Sequence, residues 1–198
     1  METSPSFKQA LRMVIKRNVV RLALLFILLA VWWAVIGFRS GDQFAIAPKT
    51  LAKVSLARVQ SPTRLLFTLD NPKEKKMVEA ELLALDTTGF PEAVKQHCSE
   101  ELLKHLENQT VWIRSVYLAS DQHTVGRVMI SHAGVAPDDV GISVVQSGCA
   151  FYCKRDEKYL SPEIQKLYQT AQEQAQKGRL GVWADPAAKP SDECLKSL

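Results

Sequence analysis

No Cys-x-x-Cys pair occurs in this chain, and its histidines, His97, His105, His123 and His132, show no ligand spacing. Structural zinc sites draw on such ligands at close intervals, so the pattern argues against one. Neither Cys149 nor Cys153 stands in a nucleophile motif, so the local signature of a catalytic dyad or triad is missing too. Net charge is scarce where a nucleic acid would need it. The formal total is +4, but Lys8, Arg12, Lys16, Arg17 and Arg21 against Glu2 account for it within residues 1–38. The other 160 residues carry 20 basic and 20 acidic side chains. Nucleic acid is therefore not the partner that the charge balance favours.

Residues 22–38 hold no charge at all. As a helix these 17 residues reach about 26 Å, close to a hydrocarbon core of roughly 30 Å. Val19 and Val20 extend the apolar surface while Arg21 snorkels, and Asn18 limits it. One transmembrane helix is predicted over residues 19–38, after a basic segment at 1–18. Trp32 and Trp33 lie toward its far end, as interfacial anchors do. Five basic residues precede the span, and only Arg39 and Lys49 follow soon after. That asymmetry keeps the N-terminus on the cytoplasmic or matrix side and places the rest in the periplasm or an intermembrane space. Membrane lipid is then an expected partner. A cleavable signal is the rival reading. Ala45-Ile46-Ala47 offers a cleavage site, but Pro48 would follow the cut and the distance from the apolar run is long.

A compartment across the membrane permits disulfides. Cys149 and Cys153 in "CAFYC" are close enough to bridge if that segment turns tightly. The other reading is two small hydrophobes in a half-buried element. Cys98 and Cys194 stand alone.

Periodicity places the remaining elements. Residues 39–50 read as a linker. Strands are predicted at 51–59, 64–69, 78–85, 110–118 and 126–132, with a turn at 70–73. A helix over 91–106 carries Val94, Cys98, Leu102 and His105 or Leu106 along one side. A shorter helix at 136–148 ends at Gly148. A third spans 162–177, capped by Ser161 with Pro162 at its first position, and its apolar stripe is Ile164, Leu167, Tyr168, Ala171 and Ala175. Residues 51–184 form the domain, and 185–198 read as a loose tail. Five strands with a helix after the third give an α+β fold, a five-stranded barrel of the oligonucleotide-binding kind.

One stretch concentrates carboxylates. "MVEAELLALDTTGFPE" sets Glu79, Glu81, Asp86 and Glu92 around a hydrophobic run that leads into a turn. Two carboxylates just past a strand end can hold a metal. Each also has a plainer use: Asp86 can cap its turn, and Glu92 can favour a helix dipole from the first turn.

The region from Leu51 to Trp183 resembles the thermonuclease family, whose best-known member is staphylococcal nuclease. The resemblance rests on "GRVMISHAGVAPDDVGISVVQSGCAFY" and then "AQEQAQKGRLGVW", where Gly126-Arg127, Gly148, Ala150, Ala175, Leu180 and Trp183 keep the family's order. Upstream, "ELLALDTTGFPE" is similar to the family's strand leading to Asp and then Pro-Glu, with a short insertion.

The resemblance implies calcium-dependent cleavage of nucleic acid, with acidic metal ligands, two phosphate-gripping arginines and a glutamate that activates water. On this chain Asp86 takes the metal position, Arg127 the second arginine and Glu92 the glutamate. Two positions depart from the pattern. The first-loop aspartate falls on Pro62, whose side chain offers no donor. The third-strand arginine falls on Glu81, and no arginine occurs from Asn71 to Ile113. Calcium takes six to eight oxygens, so losing a carboxylate weakens the site. Glu81 sets a negative charge where phosphate charge develops; loss of one oxyanion donor already costs about 3–4 kcal/mol elsewhere. The expectation is a membrane-anchored pseudoenzyme without cofactor, in which Arg127 pairs with Glu81. It would serve as a structural or interaction subunit among protein partners, in the mitochondrial inner membrane or a bacterial one. The alternative is a working calcium-dependent phosphodiesterase that cleaves single-stranded DNA or RNA on the non-cytoplasmic side.

Overall fold

The computed structural model describes residues 44–70 and 76–196. They fall within one compact unit, Asp42–Leu198. The predicted transmembrane helix and basic N-terminal segment lie outside the described residues. Among the described residues, no helix is long and apolar enough to cross a membrane.

The chain runs through β1 (Leu51–Ser61), β2 (Arg64–Leu69), β3 (Met77–Leu82), β4 (Leu85–Asp86) and α1 (Glu92–Leu106). It continues through β5 (Val111–Leu118), β6 (Thr124–Ile130), β7 (Asp138–Asp139), α2 (Val140–Gln146) and β8 (Phe151–Tyr152). A 3-10 turn at Lys154–Tyr159 leads to α3 (Pro162–Gly178), another at Gly181–Ala184 follows, and α4 (Asp192–Leu195) comes last.

Five strands close into a barrel. Antiparallel ladders join β3 to β2, β2 to β1, β1 to β5 and β5 to β6. The parallel pairing of β3 with β6 shuts it, with Ala80 opposite Thr124, Glu81 opposite Val125 and Leu82 opposite Gly126. Closure leaves no free edge among these five strands. Side-chain alternation sorts β3 cleanly. Val78, Ala80 and Leu82 enter the core, while Glu79 and Glu81 face outward. Phe67, Leu65, Ile113, Val128 and Ile130 complete the interior with Leu102 and Leu106 from α1. Leu106, not His105, is the buried residue at the end of that helix.

Several expected boundaries shift for local reasons. The run 78–85 is two strands, because Ala84 adopts a left-handed conformation (φ 62°). The chain then leaves the barrel, and β4 pairs with β8 instead. The helix read from 136 begins only at Val140, since Asp138 and Asp139 first pair with β6 and Asp139 then caps the helix. Part of the segment read as linker is docked. Ile46 is buried, its N–H donates to the Thr124 hydroxyl and its carbonyl accepts from the Ser115 hydroxyl.

The cysteine expectation is corrected. Cys149 does not bridge Cys153. Cys98 on α1 bonds Cys149, with Cα atoms 5.5 Å apart. Cys153 bonds Cys194 on α4, with Cα atoms 4.6 Å apart. Cys153 continues from β8, whose partner is β4, so extended backbone separates it from Cys149. The tail is not loose over its described length either: Ser191 caps α4, and Cys194 is fully buried.

Gly148 marks the tightest approach in the C-terminal half. Its φ is +73°, and a Cβ there would stand 2.1 Å from the Leu180 carbonyl oxygen. The Val182 amide in turn donates to the Gly148 carbonyl. Gly148→Ala should cost about 2–4 kcal/mol, from the left-handed backbone and the forced separation of the two segments. A chemical-denaturation curve measures it, and a midpoint within error of wild type would contradict this packing.

Candidate functional site

Glu81 leaves β3 on the outer face of the barrel. Arg64 stands directly across the β2–β3 ladder, and its guanidinium donates to Glu81 at 2.9 Å while approaching Glu79 at 3.4 Å. His123, in the turn before β6, sets its Nε2 3.0 Å from the same Glu81 oxygen. Its other ring nitrogen meets the Asp121 carboxylate. The Glu81 carboxylate is thus engaged from two sides. Arg64 is the cation nearest the place where the resemblance expects an arginine, but it is held by two glutamates. The Arg64–Glu81 pair is only part-buried, and ion pairs that solvent still reaches are worth little. Glu81→Ala should therefore lower stability by only about 1 kcal/mol, read as a small drop in urea midpoint, because Arg64 keeps Glu79. A loss several times larger would mean that the cluster is a buried network.

Arg127 does not pair with Glu81. That expectation is corrected by Asp139, which lies at the start of α2. Its Oδ2 accepts from Arg127 Nε at 2.6 Å. Its Oδ1 accepts from the Gly141 amide at 2.9 Å and from the Tyr168 hydroxyl at 3.1 Å. One carboxylate therefore ties β6, α2 and α3 together. Burial first, then the Asp139 charge, hold the Tyr168 phenol well above its ordinary pKa, so it stays a donor. Arg127 also borders a cleft of about 580 Å³ with Lys49, Arg114, Tyr159 and Ser161. These three cations share one concave face although the domain is formally neutral. Sequence reading did not find this cluster, because its members come from three separate segments.

Asp86 closes β4. Its Oδ1 accepts from the Thr88 amide at 2.9 Å and the Thr88 hydroxyl at 2.6 Å. Its Oδ2 accepts from the Ser191 hydroxyl at 2.8 Å. Partial burial acts to raise its pKa. The Thr88 bonds outweigh that, Ser191 and Arg155 add to them, and the carboxyl sits below its ordinary value. Pro62 is buried in the two-residue turn between β1 and β2. Glu92 opens α1 with its side chain 88% exposed, and Lys95 lies 3.9 Å from it. The segment Thr88-Gly89-Phe90 lies between Asp86 and Glu92. Phe90 anchors it by packing edge-on to Phe151 at 4.8 Å.

These residues do not fit a calcium ion. Pro62 has no donor side chain, Glu92 lies out on the helix start, and Asp86 alone is left to supply carboxylate oxygen. Calcium needs several convergent oxygens. The residues that sequence reading missed are Asp139, His123 and Ser191. Asp139 had a readable signal, an aspartate just before a helical run. The Ser191 contact spans 105 residues of sequence, and no local pattern shows it.

A closed barrel of five strands in mixed pairing, with a helix between the third and fourth barrel strands, defines the oligonucleotide-binding architecture. Within it, residues 63–185 match the sequence model of the family described as Staphylococcal nuclease homologue. The chain belongs to that family. A search of curated proteins returned no match.

Proposed function

We propose that this chain is a membrane-anchored member of its family that has lost catalysis and acts as a structural or interaction subunit of a membrane protein complex. The observation that carries the reading is Glu81, a carboxylate held by Arg64 and His123 where the family resemblance expects a phosphate-gripping arginine. A phosphodiester approaching that face meets negative charge, and Arg127 is already committed to Asp139. The uncharged run at 22–38 supports the anchor. The two disulfides support a domain on the oxidising side, the side that the flanking charges favour. The mitochondrial inner membrane, with the domain in the intermembrane space, satisfies both conditions, as does a bacterial inner membrane.

Native mass after extraction from its own membrane in mild detergent tests the reading. Migration within a large, stable assembly is expected. Migration as a lone small species would overturn it.

A second reading keeps the family's chemistry as a calcium-dependent phosphodiesterase. The cleft that gathers Lys49, Arg114 and Arg127 favours it, since three cations on a concave wall attract a polyanion. It requires steep salt dependence of single-stranded nucleic acid binding and chelator-sensitive cleavage.

A further inference from the structure

The C-terminal tail meets Asp86 at a place with unusual chemistry. One carboxylate oxygen of Asp86 and the sulfurs of Cys153 and Cys194 lie within 4.8 Å of one another. The sulfurs are joined to each other here, so neither is a metal ligand in the oxidised chain. Contacts other than the disulfide also hold these groups near one another. Cys153 is held by its backbone N–H, which donates to the Ala84 carbonyl at 2.7 Å. Cys194 is held by the Ser191 cap of its helix, and Ser191 is bonded to Asp86.

We propose that in the reduced chain Cys153, Cys194 and Asp86 form a binding site for one thiophilic divalent cation of the zinc class. Reduction passes two electrons and two protons from a dithiol reductant to the disulfide. It yields two thiols and the reductant's own disulfide. Metal binding then releases the two thiol protons, and the cation bonds two thiolates and one carboxylate oxygen. A fourth position remains for water. Two thiolates select a zinc-class ion over calcium, which prefers oxygen alone. The donors are set in place beforehand. Thr88 and Ser191 fix the Asp86 carboxylate by hydrogen bonds, as groups behind a metal ligand do. Phe90, Phe151 and Val182 share one buried apolar cluster with Cys153 and Cys194, and Trp183 packs against it. Arg155, whose charge reaches Asp86, offsets the net negative charge that three anionic donors leave on a divalent cation. Ser191 and Cys194 lie beyond residues 63–185, so the site is built by joining the tail to the family domain.

Cobalt(II) substitution on the full chain in detergent, reduced without oxygen, tests the proposal. One equivalent should bind and give a thiolate-to-cobalt charge-transfer band, absent from the oxidised chain. Cys153→Ser should abolish the band, Asp86→Asn should weaken binding at least tenfold, and Cys98→Ser should leave the band intact. Because a cysteine variant can fail to fold, a second readout uses the wild-type chain. Zinc should slow alkylation of Cys153 and Cys194 at least tenfold while Cys98 and Cys149 react at their zinc-free rate. No charge-transfer band in the reduced chain would overturn the site. So would a band that survives Cys153→Ser, unchanged affinity in Asp86→Asn, or equal protection of all four thiols.

Discussion

Removing both disulfides should lower the melting temperature by about 15–30 °C. Cys98–Cys149 closes a loop across 51 positions and Cys153–Cys194 one across 41. The chain-entropy relation assigns about 4 kcal/mol to each. The two loops follow one another along the chain without overlap, so their effects should add. For a domain of this size each kcal/mol moves the midpoint by about 2–4 °C. The two bridges also do different things. Cys98–Cys149 fastens α1 to the segment after α2, and Cys149 belongs to the main core. Cys153–Cys194 fastens the tail over a separate apolar group of Phe90, Phe151 and Val182. Cys98→Ala with Cys149→Ala should therefore lower the whole transition. Cys153→Ala with Cys194→Ala should release α4 first, seen as early proteolysis after residue 185. Calorimetry with and without reductant measures the sum. A shift of only a few degrees would mean that these pairs do not close these loops.

Asp139→Ala should cost about 3–5 kcal/mol, the loss expected when one partner of a buried ion pair is removed. Asp139 is buried and Arg127 largely so, which strands the guanidinium. The same change removes the cap on the Gly141 amide and leaves the Tyr168 hydroxyl without its acceptor. Asp139→Asn should cost less, since an amide oxygen still accepts from Gly141 or Tyr168. Arg127→Ala should destabilise as well, and a double-mutant cycle with Asp139→Ala should show clear coupling. Denaturant midpoints for the four proteins of that cycle decide it. Additive losses would mean that Arg127 is free to act elsewhere, and that outcome would favour the phosphodiesterase reading.

The barrel was legible because its strands alternate. In β3 the apolar residues Val78, Ala80 and Leu82 and the acidic Glu79 and Glu81 take opposite faces, a pattern that sequence shows directly. The long helices were legible from the same kind of evidence: α3 has its proline start and its stripe at Tyr168, Ala171 and Ala175. Leu167 was misassigned to that stripe and is half exposed. What sequence hid were contacts made at a distance. Arg127 and Glu81 share the outer face of the barrel, which made their pairing a reasonable expectation. Asp139 takes the arginine because its backbone first pairs with β6 and brings the carboxylate to within 2.6 Å of the guanidinium. The disulfides were hidden for a related reason. Proximity along the chain favoured Cys149 with Cys153, while β8 and the return of the tail place their true partners 41 and 51 positions away. The site positions themselves, Pro62, Glu81, Asp86, Glu92 and Arg127, came from the family resemblance. Their engagement by Arg64, Ser191 and Asp139 needed the fold.

The central claim is that Glu81 and the engagement of Asp86 and Arg127 leave this family member without phosphodiester cleavage. The most direct measurement is hydrolysis of labelled single-stranded DNA and RNA by the purified full chain in detergent, with calcium or with a chelator. The expected result is no turnover above the buffer rate under either condition, with Arg127→Ala and Asp86→Ala indistinguishable from wild type. Calcium-dependent cleavage that disappears with the chelator and in Arg127→Ala would contradict the account.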